Sequence, residues 1–458
     1  MIIELTQAYC KKYTYIPERF VDTIYHNLIA PVANSVEVSY GDARFKLNIY
    51  TLLVAPSRTG KGKVINEITK EILLNVNHGL VLSDEGTAEA YIKQLGNSEK
   101  LNESNFMNEI KYKGAGIICN DEITSIIKPT ADYTKSMIEF LTGIYNAQSK
   151  YVKSLVNEKF TINEPHVNLF TGTQLQKISE LSQTNIFSGF FPRLNIVKVD
   201  ERPMPTEEQI VAPIKYSEEM KTVRQTLERL TALLDEFNSS IVNVLYIPIS
   251  ANAMKYIYTW DYNKLRNTLS TAETIYLNTR REFAIKYAGI FKINKALKDT
   301  IRFILQQPEN EKISIQSVNI ALDKVKDDTV WKKASEHFYR NLVSELDESY
   351  VIQSTNYLDA IEKDALEVIC TIMGTADEKK LALVKNAIHR ILARNLENEV
   401  FKFNDKHFVT LRALQRSTGI MVKTLLPIIE GLKEEGVVET VTTIQQKNRN
   451  VRVIEISN

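Results

Sequence analysis

The chain has 458 residues, enough for about three domains at roughly 150 residues each. Apolar residues make up 44% and charged residues 25%, which is ordinary globular composition and excludes a chain that is disordered, collagenous or disulfide-stapled throughout. Lys+Arg number 57 against 56 Asp+Glu, a net charge of +1, so any nucleic-acid contact must rest on local patches rather than bulk charge.

Residues 1–48 read as a helical and loop lead-in. The start, MIIELTQAYCKKY, lacks a basic-then-apolar leader pattern. No stretch approaches the roughly 20 apolar residues of a membrane span. Cys10, Cys119 and Cys370 are widely spaced and form no C-x-x-C pair, and the six histidines form no ligand-spaced motif. A reduced, cytoplasmic protein without a structural metal is expected.

From residue 49 to 202, short apolar runs alternate with helical patterns. NIYTLLVA (48–55), GLVLSD (79–84), GAGIICND (114–121), HVNLFTG (166–172) and RLNIVKV (193–199) are the runs. Such an alternation predicts a parallel sheet covered on both faces. The first run leads into PSRTGKGK and then a helix, which nearly fits the loop that wraps phosphates at a helix start. Its members are Ala55, Pro56, Ser57, Arg58, Thr59, Gly60, Lys61, Gly62 and Lys63. Lys61 is expected to reach the terminal phosphates of ATP. Ala55 replaces the first glycine of the pattern, and Gly62 replaces the hydroxyl residue that ordinarily ligates Mg2+. Water, Thr59 or Ser57 would have to stand in for that hydroxyl.

The run GIICNDE ends in Asp121 and Glu122. The first carboxylate is expected to hold Mg2+ through water and the second to polarise an attacking water. LFTGTQ ends another strand, and Thr173 or Gln174 is placed to hold that water. Arg193, in GFFPRL, suits a finger delivered to a neighbouring subunit's phosphate. Arg280, at the start of a helix in NTRREFAIKYAG, is expected to touch phosphate from above, with Arg281 its close competitor.

The segment ERPMPTEEQIVAPI, with its three prolines, marks a boundary. Residues 203–300 and 301–376 then read as helical, the second of unclear role. From 377 the expected order is helix, helix, helix, hairpin, which is the winged-helix order. This last unit holds 14 Lys/Arg against 10 Asp/Glu. Lys447, Arg449 and Arg452 fall on the expected wing, and Lys423 on the helix before it.

LLVAPSRTGKGK, IICNDE, LFTGTQ, SGFFPRLNIV and LNTRREFAIKYAG, in this order, resemble the AAA+ class of P-loop ATPases. Within it they resemble the replication ATPases of plasmids, phages and archaeal viruses, a phage and bacterial P-loop family of unknown function, and the MCM helicases. The resemblance implies an α/β core, a helical lid over 203–300 and a C-terminal winged helix. It also implies a homo-oligomeric ring, often a hexamer, that translocates on DNA with other replication proteins. In MCM-like rings a hairpin before the fourth strand lines the channel. Here YVKSLVNEKFTI would form it, with Val156–Lys159 near its tip and Lys150, Lys153 and Lys159 facing DNA phosphates. A nucleotide-gated DNA-binding or assembly protein with little hydrolysis is the competing expectation, supported by Gly62. A partition or transcription regulator is the third.

Overall fold

The structure is a computed structural model. It describes the chain except residues 99–113, 128–131, 148, 156–157, 179–188, 201–203, 205–206, 208–216, 241–243, 267–270, 374–383, 385–386, 389, 393–399, 404–405, 435–436, 447–448 and 457–458. The chain divides into two compact units, Met1–Val368 and Ile369–Asn458.

In the first unit the central strand is Tyr50–Val54, here β3, whose five residues are all buried. A strand rich in bulky apolar residues with no exposed face needs cover on both sides. Each fully buried leucine or valine side chain contributes about 1.5–3 kcal/mol. Three further strands join it: β5 (Ala115–Asn120), β8 (His166–Thr173) and β9 (Leu194–Lys198). Their order is β5-β8-β3-β9, and every pairing is parallel. This four-stranded parallel sheet is compatible with a P-loop-type core. Val54 stands opposite both Thr173 and Lys198, and Asn120 opposite Thr171. The carboxyl ends of the strands are therefore level.

The expected strand over 79–84 shrinks to one parallel bridge between Val81 and Ile117. The Asn77 side chain accepts from Gly79 N at 2.8 Å and starts a 3-10 turn over His78–Leu80. That turn uses up the residues that would have extended the strand.

Residues 1–48 are more than a helical lead-in. Helices Ile2–Tyr13 and Glu18–Val32 are followed by a hairpin of β1 (Val36–Tyr40) and β2 (Ala43–Lys46). Gly41 takes the left-handed turn at φ +55°. β1 also pairs in parallel with β10 (Leu245–Pro248), Val36 opposite Leu245. One apolar core joins these elements to helices of the expected lid and linker, including Phe283, Ile290, Phe338 and Leu358. The expected boundaries at 48, 202 and 300 thus fall inside the first unit. The expected hairpin is present: β6 (Lys150–Leu155) pairs with β7 (Glu158–Asn163), and β4 (Asn97–Ser98) adds a third strand.

The second unit is a four-stranded sheet in the order β11-β12-β14-β13, antiparallel throughout, with helices packed on it. Its strands are β11 (Val400–Phe403), β12 (Lys406–Thr410), β13 (Val438–Gln446) and β14 (Arg449–Ile456). The β11–β12 hairpin lies where a plain connector was expected. Thr410 Oγ1 caps the helix Leu411–Thr418 by accepting from Ala413 N at 3.1 Å, and Gly419 ends it at φ +71°. The helix Val422–Glu434 contains Pro427 and buries Leu425, Ile429 and Leu432 in the unit's core.

Candidate functional site

β3 gives way to the loop at Ala55, whose N–H still bonds Thr173 O at 3.1 Å. The left-handed positions of the loop are Arg58 (φ +64°) and Gly60 (φ +95°). Ala55 is not one of them, so the loop loses nothing by lacking glycine there. Arg58 instead bears a strain of about 1–2 kcal/mol, the ordinary cost of a side chain in that region. Lys63–Lys70 winds as a π-helix before Glu71–Val76 continues as an α-helix. Such wide turns are frequently found at functional sites.

Loop and strand ends surround a cavity of about 540 Å3. Ser57, Arg58, Gly60, Lys61, Gly62, Lys63, Asp121, Glu122 and Gln174 line it. Lys61 Nζ folds back to donate to Ala55 O at 2.6 Å and Pro56 O at 2.9 Å. Desolvation lowers its pKa to about 8, against the raising effect of Glu122 and Asp121. Thr59 does not stand in for the missing hydroxyl. It is buried, and its Oγ1 donates to Pro56 O at 2.8 Å. Ser57 is exposed on the cavity wall.

A Cβ built on Gly62 would stand 3.2 Å from Asp121 Oδ2. The carboxylate therefore lies against the place that a hydroxyl side chain would enter. Asn120, irregular in an apolar strand, has a defined task. Its Nδ2 donates to Asp84 O at 2.8 Å, and its Oδ1 accepts from Glu122 N at 2.8 Å. This fixes the turn that presents the two carboxylates. Thr173 Oγ1 donates to Glu122 Oε1 at 2.9 Å, and Lys177 Nζ donates to Glu122 Oε2 at 2.6 Å. Thr173 is fully buried, so Gln174 is the one of the two that lines the cavity.

Sequence reasoning missed four lining residues: Tyr15, Ile16, Glu67 and Lys177. Tyr15 and Ile16 come from the turn between the first two helices. Lys63 Nζ lies 5.5 Å from the Tyr15 ring centroid. None carries a motif; Tyr15, Ile16 and Lys177 reach the loop through tertiary packing, and Glu67 lies on the helical turns that directly follow it.

Arg280 is a correction. It is 1% exposed and sits at the other end of the sheet. Its guanidinium donates to Asn195 Oδ1 at 3.5 Å and Leu358 O at 3.3 Å, and lies 4.8 Å from the Tyr276 ring centroid. Thr279 Oγ1, one residue earlier, donates to Pro192 O at 2.5 Å, pinning this helix start to the entry of β9. Arg281 lies 4.9 Å from the Tyr258 ring centroid. Neither lines the cavity. Arg193 precedes β9, so it too is at the amino end of the sheet, opposite the loop of its own chain. There it bonds Gly189 O and, at 3.4 Å, Asn146 Oδ1.

On the β6–β7 hairpin, Lys150 pairs opposite Asn163, Ser154 opposite Lys159, and Lys153 opposite Phe160. By strand alternation Lys150 and Lys153 fall on opposite faces of the hairpin, so they do not form one row; the side chain of Lys159 lies outside the described residues. Lys150 and Lys153 are exposed. Lys423 and Arg452 are exposed in the second unit, Arg449 opens β14, and Lys447 lies outside the described residues, as does the hairpin tip 156–157. Among the described residues no cluster of three metal-ligating side chains occurs, and no helix is long and apolar enough to cross a membrane. No protein-family model matches the sequence, and no curated protein matches it.

Proposed function

We propose that this chain is a DNA-dependent ATPase of the AAA+ type, a ring-forming helicase or translocase. The observation that carries the reading is convergence. Three segments far apart in sequence bring Lys61, Asp121, Glu122 and Gln174 to one cavity at the level carboxyl ends of adjacent parallel strands. That end of an open parallel sheet is where ligands bind. Loop amides at a helix start suit a triphosphate, and Lys61 suits its terminal charge. Asp121, with Ser57 beside the cavity, would hold Mg2+, largely through water as that ion prefers. The ion would supply charge neutralisation at the phosphates. Glu122 would take the proton of the attacking water and Gln174 would orient it. Arg193 lies at the wrong end of its own sheet for this pocket, which favours delivery to a neighbour's pocket in a ring. The hairpin lysines would meet single-stranded DNA, and the second unit would act as a winged helix, with Lys423, Lys447, Arg449 and Arg452 toward duplex DNA.

A second reading is favoured by two specific observations. Gly62 offers no hydroxyl, and Glu122 is tied to Thr173 and Lys177. On that reading the protein binds ATP to assemble on DNA and hydrolyses little. Steady-state phosphate release with Mg2+ and ATP decides between them. It is run without DNA, with single-stranded DNA and with duplex, beside Glu122→Gln. Turnover that rises with DNA and is lost in the variant supports the motor. ATP binding without turnover in any arm supports the assembly protein. Arg193→Ala should lose turnover in the assembled state while still binding ATP.

A further inference from the structure

The Lys177–Glu122 pair has no place in the phosphate-loop pattern, and the following rests on the nucleotide-site reading above. Lys177 belongs to a short helix, Leu175–Ile178, that begins one residue after Gln174. The backbone there is fixed: Lys177 N donates to Gln174 O at 3.0 Å, and Ile178 is fully buried. A lysine's four-carbon stem is flexible and can pivot about that anchored backbone. The pair is half-open, with side-chain exposures of 42% for Lys177 and 25% for Glu122. A bond of this kind is weakly held against a stronger anion. Lys177 also lines the same cavity as Lys61, whereas Arg280 and Arg281 do not.

We infer that Lys177 senses the third phosphate. Lys177 holds Glu122, and a terminal phosphate draws it off, freeing the carboxylate. A terminal phosphate carries more charge than one carboxylate and offers three acceptor oxygens to the ammonium. A nucleoside diphosphate, one phosphate shorter, leaves Lys177 on Glu122. The lysine thus supplies selectivity for the triphosphate.

The test is equilibrium binding of ATP and of ADP, each with Mg2+, to the full-length protein and to Lys177→Met, Lys177→Arg and Glu122→Gln, with melting curves to establish folding. Lys177→Met should weaken ATP at least tenfold and leave ADP within twofold. Lys177→Arg should keep most of the preference for ATP. Glu122→Gln, which removes the competing carboxylate charge, should tighten ATP several-fold relative to ADP, and an ATP-to-ADP ratio no higher than in the unsubstituted protein would overturn the inference. Equal losses for the two nucleotides in Lys177→Met, or no loss for ATP, would overturn the inference while leaving the nucleotide site standing. Absence of both nucleotides from the unsubstituted protein would overturn the site reading, and this inference with it.

Discussion

At the proposed nucleotide site, Lys61 would make affinity depend on pH in a calculable way. Desolvation holds its pKa at about 8, well below the usual lysine value of about 10.4. Phosphate favours the ammonium form, so binding raises this pKa. Affinity is then full below about pH 8 and falls as pH rises through it, because a proton must be taken up with the nucleotide. Phosphate, with a second pKa of about 6, is fully ionised across this range and adds no opposing slope. For a single proton the dissociation constant rises about tenfold between pH 7 and pH 9, equivalent to about 1.4 kcal/mol. The assay is equilibrium binding of ATP at fixed ionic strength over that interval. Lys61→Met should bind weakly at every pH and lose the slope. Lys61→Arg, charged throughout, should also lose it. A flat profile in the unsubstituted protein, or the same slope in Lys61→Met, would refute the assignment of Lys61 to the phosphates.

Three further outcomes follow from the geometry. Gly62→Ser places a hydroxyl beside Asp121 Oδ2, 3.2 Å from the new Cβ, and should lower several-fold the Mg2+ concentration needed for half-maximal ATP binding; an unchanged Mg2+ titration would deny the ion this position. Arg280→Ala should cost about 2 kcal/mol or more, from lost buried charge-assisted bonds, yet leave ATP affinity within twofold; a selective loss of ATP binding in a fully folded variant would restore the lid role. Gly289→Ala drives a Cβ to 2.6 Å from Leu47 Cδ2 and 2.9 Å from Val38 Cγ2, so it should destabilise by about 1–3 kcal/mol through overpacking. A melting midpoint equal to that of the unsubstituted protein would show that the hairpin yields.

The legible parts of the molecule are those whose signal is local. β3, β5, β8 and β9 are short, largely apolar runs, interrupted by Thr51, Asn168 and Asn195, with polar residues at or just after each end. A run of that kind is buried whatever its neighbours are, so the strand ends that carry Lys61, Asp121 and Glu122 are legible from spacing, while spacing leaves Thr173 and Gln174 as alternatives. β1 and β2 leave little trace in the sequence because VEVSY and ARFK are short, and the second partner of β1, β10, lies about 200 residues on. The β11–β12 hairpin carried a readable signal: VFKF and KHFVT alternate around Asn404 and Asp405, the composition of a turn between two strands. Arg280 misled because a helix-start arginine looks the same in sequence whether it faces a ligand or a core. Only packing against Tyr276, Asn195 and Leu358 distinguishes them. Lys177 was invisible for the converse reason. In LQKI it reads as the solvated position of an amphipathic turn, and its bond to Glu122 spans 55 residues.

Amide hydrogen exchange of the full-length protein, with and without Mg2+ and ATP, addresses the site itself. The account predicts protection in three separated segments at once: 55–63, 120–123 and 173–177. Measurable ATP binding with no protection in these segments, or with protection confined to other parts of the chain, would contradict it.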